Sequence, residues 1–98
     1  MPIHNPVHPG KIVRKLLIDN EEVNLSITLL AEKLGVSRTT ISRLINEHAG
    51  ISADMALRLS KFLPNTDMVF WMNLQRDYEI WVTKKYGPKL NIKPLEAA

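Results

Sequence analysis

Apolar residues recur three and four positions apart in five separate stretches of the chain, with polar residues between them. That spacing predicts amphipathic helices. Alternating Val/Ile/Thr runs, the mark of strands, do not persist anywhere, so the expected class is all-α. The first stretch opens at His8-Pro9-Gly10 and carries Ile12, Val13, Leu16 and Leu17. Proline suits a first helical position because its missing N–H would be unpaired there. Asp19-Asn20-Glu21-Glu22 then breaks the pattern with a polar connection. In the second stretch Ser26 is placed to cap, and Ile27, Leu30, Ala31 and Leu34 line one face. Gly35 ends it, since glycine tolerates the left-handed conformation that closes many helices.

Ser37 caps the third stretch, with Val36, Ile41, Leu44 and Ile45 pointing one way. It runs out between Asn46 and Gly50. Ser52 caps the fourth, whose stripe is Met55, Ala56, Leu59, Phe62 and Leu63, with Ile51 placed to staple the entry. Pro64-Asn65 stops it. Asn65 or Thr66 is expected to cap the fifth, with Asp67 in its first turn. Phe70, Trp71, Leu74, Tyr78 and Trp81 keep the helical period as far as Lys84 or Lys85, and Gly87-Pro88 ends it. The expected organisation is an N-terminal arm (1–7), a helical domain (8–85) and a loose basic tail (86–98).

The second and third stretches form a unit. Ala31 is small where two helices must cross, Gly35 allows a sharp turn, and Val36 and Ile41 plug the angle between the helices. This is the pattern of a helix-turn-helix, whose second helix enters the DNA major groove. A plain helical hairpin is the alternative. The face left exposed, with Arg38, Thr39, Ser42, Arg43 and Asn46, has the chemistry that groove reading needs. Arg38 and Arg43 can each pair with guanine O6 and N7, and Thr39 can bond a base or touch a thymine methyl. Ser37 can meet a base or phosphate, Thr40 adds a hydroxyl beside it, and Asn46 lies one turn beyond Arg43. Ser26 and the free N–H groups at its helix start can hold a phosphate.

Charge supports this without deciding it. Thirteen Lys and Arg face ten Asp and Glu, a net charge of +3, and Glu47 is the only acid between Ser37 and Ala53. Lys84, Lys85, Lys89 and Lys93 make the end of the chain basic, as solvated ends often are. The absence of cysteine excludes disulfides, cysteine-ligated zinc and thiol catalysis. No apolar run approaches the roughly 20 residues that span a bilayer, and no signal-peptide core stands at the start. A cytoplasmic protein is expected, with no membrane contact.

Other residues carry two readings each. His4 and His8 are four apart, a spacing open to metal, but zinc sites take three or four protein ligands and no third lies nearby. A structural or solvated role is favoured, and no metal or cofactor is expected. His48 has no serine–carboxylate pair suggested around it, and without a catalytic set no enzyme is expected. Arg58 can contact phosphate or, as a packing residue, pair with Glu32 or Glu47. Phe70, Trp71, Met72, Leu74, Ile80 and Trp81 cover more than one helix face, an excess of apolar surface for so small a domain. Phe70, Trp71, Leu74, Tyr78 and Trp81, which are core residues on the plainer reading, are expected to form a dimer interface that sets two recognition helices about 34 Å apart, one turn of DNA.

Leu30-Ala31-Glu32-Lys33-Leu34-Gly35-Val36-Ser37-Arg38-Thr39-Thr40-Ile41-Ser42-Arg43-Leu44 resembles the phage-repressor-like, or XRE, helix-turn-helix family. His8-Pro9-Gly10, Met55-Ala56-Leu57-Arg58-Leu59 and Phe70-Trp71-Met72-Asn73-Leu74-Gln75 with Tyr78-Glu79-Ile80 are together similar to HigA (VapI-like) antitoxins. The similarity runs from His8 to Trp81, and the fifth-helix motif is its most specific part. It implies a five-helix bundle of the lambda-repressor-like type that forms a homodimer. It also implies two tasks: neutralising a HigB-like toxin, an mRNA-cleaving ribonuclease, and repressing its own operon at a palindromic, double-stranded operator. The first helix and N-terminal arm are candidate toxin contacts by the same analogy. The connection from Asp19 to Leu25 is longer than the family pattern. A stand-alone XRE repressor without a toxin, and a protein-interaction module that never touches DNA, are the rival expectations.

Overall fold

The computed structural model describes residues 6–96. They form helices α1 (Pro9–Val13), α2 (Ile27–Leu34), α3 (Arg38–Ile45), α4 (Ala53–Phe62) and α5 (Met68–Tyr86), with no strand among the described residues. No described helix is long and apolar enough to cross a membrane. Val13, Leu17, Leu30, Ile41, Leu44, Leu59 and Trp71 meet in one core to which every helix contributes.

Most helix starts follow from local chemistry. The hydroxyls of Ser26, Ser37 and Ser52 accept from the backbone N–H groups of Leu29, Thr40 and Met55 at 3.0, 3.1 and 3.1 Å. Each such cap is worth about 1 kcal/mol against alanine. Gly35 closes α2 at φ 72°, and its N–H returns to the carbonyls of Ala31 and Glu32. The cap of α5 differs from expectation. Asp67, rather than Asn65 or Thr66, accepts from the N–H of Phe70 at 2.7 Å. Thr66 is committed elsewhere: its hydroxyl donates to the Leu63 carbonyl and accepts from the Trp71 indole N–H.

The first helix also differs. α1 passes into a π-helical turn over Arg14–Ile18, in which the Asp19 N–H reaches the Arg14 carbonyl at 2.8 Å. The widened turn shifts the side-chain phase, so Leu17 is buried while Leu16 remains 41% exposed. His8 begins α1 as its cap, with Nδ1 accepting from the Gly10 N–H at 2.9 Å. His4 lies outside the described residues. Burial pushes the His8 imidazole below its ordinary pKa, partly opposed by the charge of Glu47. A cap through Nδ1 needs that nitrogen unprotonated, so geometry and burial favour the same neutral form. Its ring stands edge-on to Tyr78 of α5, centroids 4.8 Å apart.

Two contacts fix the helix-turn-helix pair against the rest. Gly10 lets α1 cross α3 so closely that an added Cβ would sit 1.8 Å from the Leu44 carbonyl oxygen. On the opposite side, Arg58 of α4 donates to the carbonyls of Leu34 and Gly35 at 2.8 and 3.2 Å. Its ionic partner is Asp54, at 2.7 Å within its own helix, and neither Glu32 nor Glu47. The C-terminal carbonyls of α2 attract the guanidinium because they carry the negative end of that helix's dipole.

Candidate nucleic-acid interface

α3 divides sharply into two faces. Ile41, Leu44 and Ile45 are buried, whereas Arg38, Thr39 and Arg43 are exposed on the opposite side. Three buried aliphatics in eight residues, together with the Gly10 crossing, hold the exposed face in a fixed orientation. Arg38, Thr39 and Arg43 come together around a shallow cleft of about 270 Å³, closed by Ser42 and by Ile27 of α2. Neither Arg38 nor Thr39 makes a side-chain hydrogen bond among the described residues, so their donors remain available. Arg43 spends one N–H on the carbonyl of His48, at 3.2 Å. That bond ties the guanidinium to the turn after α3 and leaves its other donors without a partner among the described residues.

The hydroxyl residues are more committed. Ser37 and Thr40 pair with each other at 2.9 Å, and Ser37 also caps α3. Asn46 folds back to the Ser42 hydroxyl at 3.4 Å, beyond the cleft. Ser26 is exposed at the start of α2 and is occupied by its capping bond. A hydroxyl that caps through a lone pair retains its proton for a phosphate oxygen.

The five aromatic and aliphatic residues expected at a dimer interface fall into different surroundings. Trp71 is wholly buried and bonded to Thr66, so its side chain belongs to the core and offers no surface to a partner. Phe70 beside it is 43% exposed and packs edge-on against the indole at 5.0 Å. Tyr78 turns toward His8. Leu74 and Trp81 line a separate apolar groove of about 650 Å³, with Ile80 beside them and Pro6, Val7 and Ile12 opposite. Asp77 and Lys84 stand at its rim.

Residues 14–71 match the family described as Helix-turn-helix. Over 92 residues the chain is 34% identical to Antitoxin HigA-1 of Vibrio cholerae, covering 92% of this chain and 84% of that one. The chain belongs to the helix-turn-helix family, in its HigA-like branch. It is also 41% identical over 76 residues to Virulence-associated protein A′ of Dichelobacter nodosus. That match covers 78% of this chain but 64% of the relative, so the chain spans just under two thirds of that protein's length. Among solved structures, Pseudomonas aeruginosa antitoxin HigA with the higBA promoter is similar at a TM-score of 0.73 and 37% identity, over 93% of this chain and 99% of that chain.

In this HigA-like chain α2 and α3 are the two helices of the motif. Sequence patterning located Arg38, Thr39, Ser42 and Arg43 on one face, but it did not place Ile27 with them. Ile27 belongs to the apolar stripe of α2 by spacing, and only the crossing of the two helices brings it to the edge of the α3 face. Asp77, Ile80 and Lys84 were likewise invisible as a group, because the groove they border is made partly by α1 and the segment before it.

Proposed function

We propose that this chain is the antitoxin of a toxin–antitoxin pair and the repressor of its own operon. As a homodimer in the cytoplasm it binds a palindromic operator, and it neutralises a HigB-like ribonuclease toxin. It acts by binding rather than by catalysis. The observation that carries the DNA reading is the exposed face of α3, where two arginines and a threonine share one cleft backed by a rigid core. The Pseudomonas aeruginosa relative solved with a promoter supports the same reading, and the antitoxin name of the Vibrio cholerae relative supports the toxin partner.

Arg38, Thr39 and Arg43 read bases, while Ser26, Ser37, Thr40 and Asn46 position the backbone. The corresponding division is an arm (1–7), a DNA-binding domain ending in a dimerisation helix (8–85) and a basic tail (86–98). The dimer forms through the groove of α5. Two α5 helices packed antiparallel about an axis beside Ile80 and Trp81 bring Asp77 against the partner's Lys84, and the reverse. A two-fold interface requires such self-complementarity. Leu74, Ile80 and Trp81 form its apolar centre, with Phe70 toward its margin, and this arrangement spaces the recognition helices for successive turns of DNA.

Two experiments test the proposal. Fluorescence anisotropy with the duplex upstream of the chain's own gene reads the operator. Arg43→Ala is expected to cost about 1–3 kcal/mol there and to relax preference at one base pair. An equal loss on random DNA assigns Arg43 to phosphate alone. Co-expression with the adjacent small gene reads the toxin: a stable complex with a neighbour that is toxic alone is expected, and absence of any complex removes the antitoxin role.

A further inference from the structure

The cleft on the DNA face has an apolar wall that hydrogen-bonded base reading does not use. Ile27 is half-buried, anchored against the core, and lines the cleft with its remaining surface. Thr39, which carries both a methyl and a hydroxyl group, borders the same space with Arg38 and Arg43. The aliphatic side chains of α3 itself, Ile41, Leu44 and Ile45, all point into the core. Ile27 is therefore the aliphatic group that α2 brings to an otherwise polar, cationic face.

Resting on the DNA-binding reading above, we propose that this cleft reads one thymine per half-site through its 5-methyl group, and that Ile27 is the specificity-determining residue. Of the groups that base pairs display in the major groove, the thymine methyl is the apolar one. A branched aliphatic wall accommodates it. Cytosine has only a hydrogen at C5, so it loses the contact with Ile27, and its N4 amino donor stands where thymine presents the O4 acceptor, facing two cationic donors without an acceptor. The flanking arginines select guanine through O6 and N7, so the thymine is read next to a guanine contact. Ile27 makes no hydrogen bond to DNA; its selectivity is that of shape and desolvation.

The test begins with the full-length protein and selection from a random duplex library, followed by single replacement of each thymine in the enriched site by uracil. That exchange deletes only the methyl group. Burying one methyl is worth about fourfold in affinity, so one thymine per half-site is expected to weaken binding about fourfold on conversion to uracil while the others change little. In Ile27→Ala that thymine/uracil difference disappears although the duplex is still bound, and in Ile27→Val it persists. Ile27→Asn, which keeps a branched side chain but carries no methyl group, replaces the alanine variant if the latter fails to fold, and it too is expected to lose the difference. An enriched site in which every thymine tolerates uracil overturns the cleft assignment and leaves the DNA-binding reading intact. A methyl effect that survives in Ile27→Ala or Ile27→Asn overturns the role of Ile27. Enrichment of no sequence overturns the DNA-binding reading and this inference with it.

Discussion

α4 and α5 lie side by side but solve different problems. In α4, ten residues commit Met55, Ala56 and Leu59 to the core. In α5, nineteen residues commit only Trp71 and Gln75, both in its first half. Beyond Gln75 the helix carries Ile80, 47% exposed, and the half-buried Trp81. α4 is thus completed by its own chain. The second half of α5 buries no side chain fully and is held by Tyr78 against His8 and by contacts within the helix such as Tyr78 with Trp81. Apolar surface at helical spacing consequently does not have one meaning: the same period marks core in one half of α5 and unpartnered face in the other.

The largest effect expected from this contrast is at Trp71. Trp71→Ala should destabilise the protein by about 4 kcal/mol, as loss of a buried indole does, read by urea unfolding. Phe70→Ala, one position away, removes the edge-on contact with the indole and should cost only about 1 kcal/mol. A similar cost for both would abolish the division between core and face at that point. Gly10→Ala comes next. Alanine elsewhere in a helix is favourable by about 1 kcal/mol over glycine. Here the Cβ meets the Leu44 carbonyl, so a loss of about 2–3 kcal/mol is expected instead, accompanied by weaker operator binding.

Gln75 sharpens the comparison at the boundary between the two halves. Its side-chain carbonyl accepts from the buried N–H of Ile51 at 2.7 Å, and its amide donates to Glu79 at 3.0 Å. Gln75→Leu strands the Ile51 N–H and should cost about 2 kcal/mol in the same unfolding measurement. Further along α5, Ile80→Glu should leave the isolated monomer's stability within about 0.5 kcal/mol yet shift sedimentation from dimer to monomer. The charge pair Asp77→Lys with Lys84→Asp should preserve the dimer that either change alone weakens.

The smallest effect is that of pH. The folded pKa of His8 is lowered by burial, so the unfolded chain binds the proton more readily. Its contribution is fully present above the ordinary value of 6.5 and is lost progressively as pH falls below it. Thermal melts between pH 7.5 and 5.5 should show this decline, and His8→Asn, which retains an acceptor at the cap, should flatten it.

Much of the fold was legible because its signals are local. Ser26, Ser37 and Ser52 announce their helices through bonds spanning three residues. Arg38, Thr39 and Arg43 share a face by helical spacing alone. What escaped was set by distant partners. Arg58 reaches carbonyls on another helix, and Gln75 bonds a backbone group in the loop before α4. Trp71 is told from Phe70 only by where α5 docks. Ile27 joins the α3 face through the crossing of two helices, which no single stripe reveals.

The π-helical turn at Arg14–Ile18 has a consequence for engineering. A wide turn of this kind accommodates an extra residue inside a helix without rotating what precedes it. The exposed connection that follows is closed at Leu25, whose N–H returns to the Leu17 carbonyl at 2.7 Å. Changes in length between those points are therefore absorbed before the chain reaches Ser26. The exposed residues 21–24 are where an engineer can insert an affinity peptide while α2 and α3 keep their geometry.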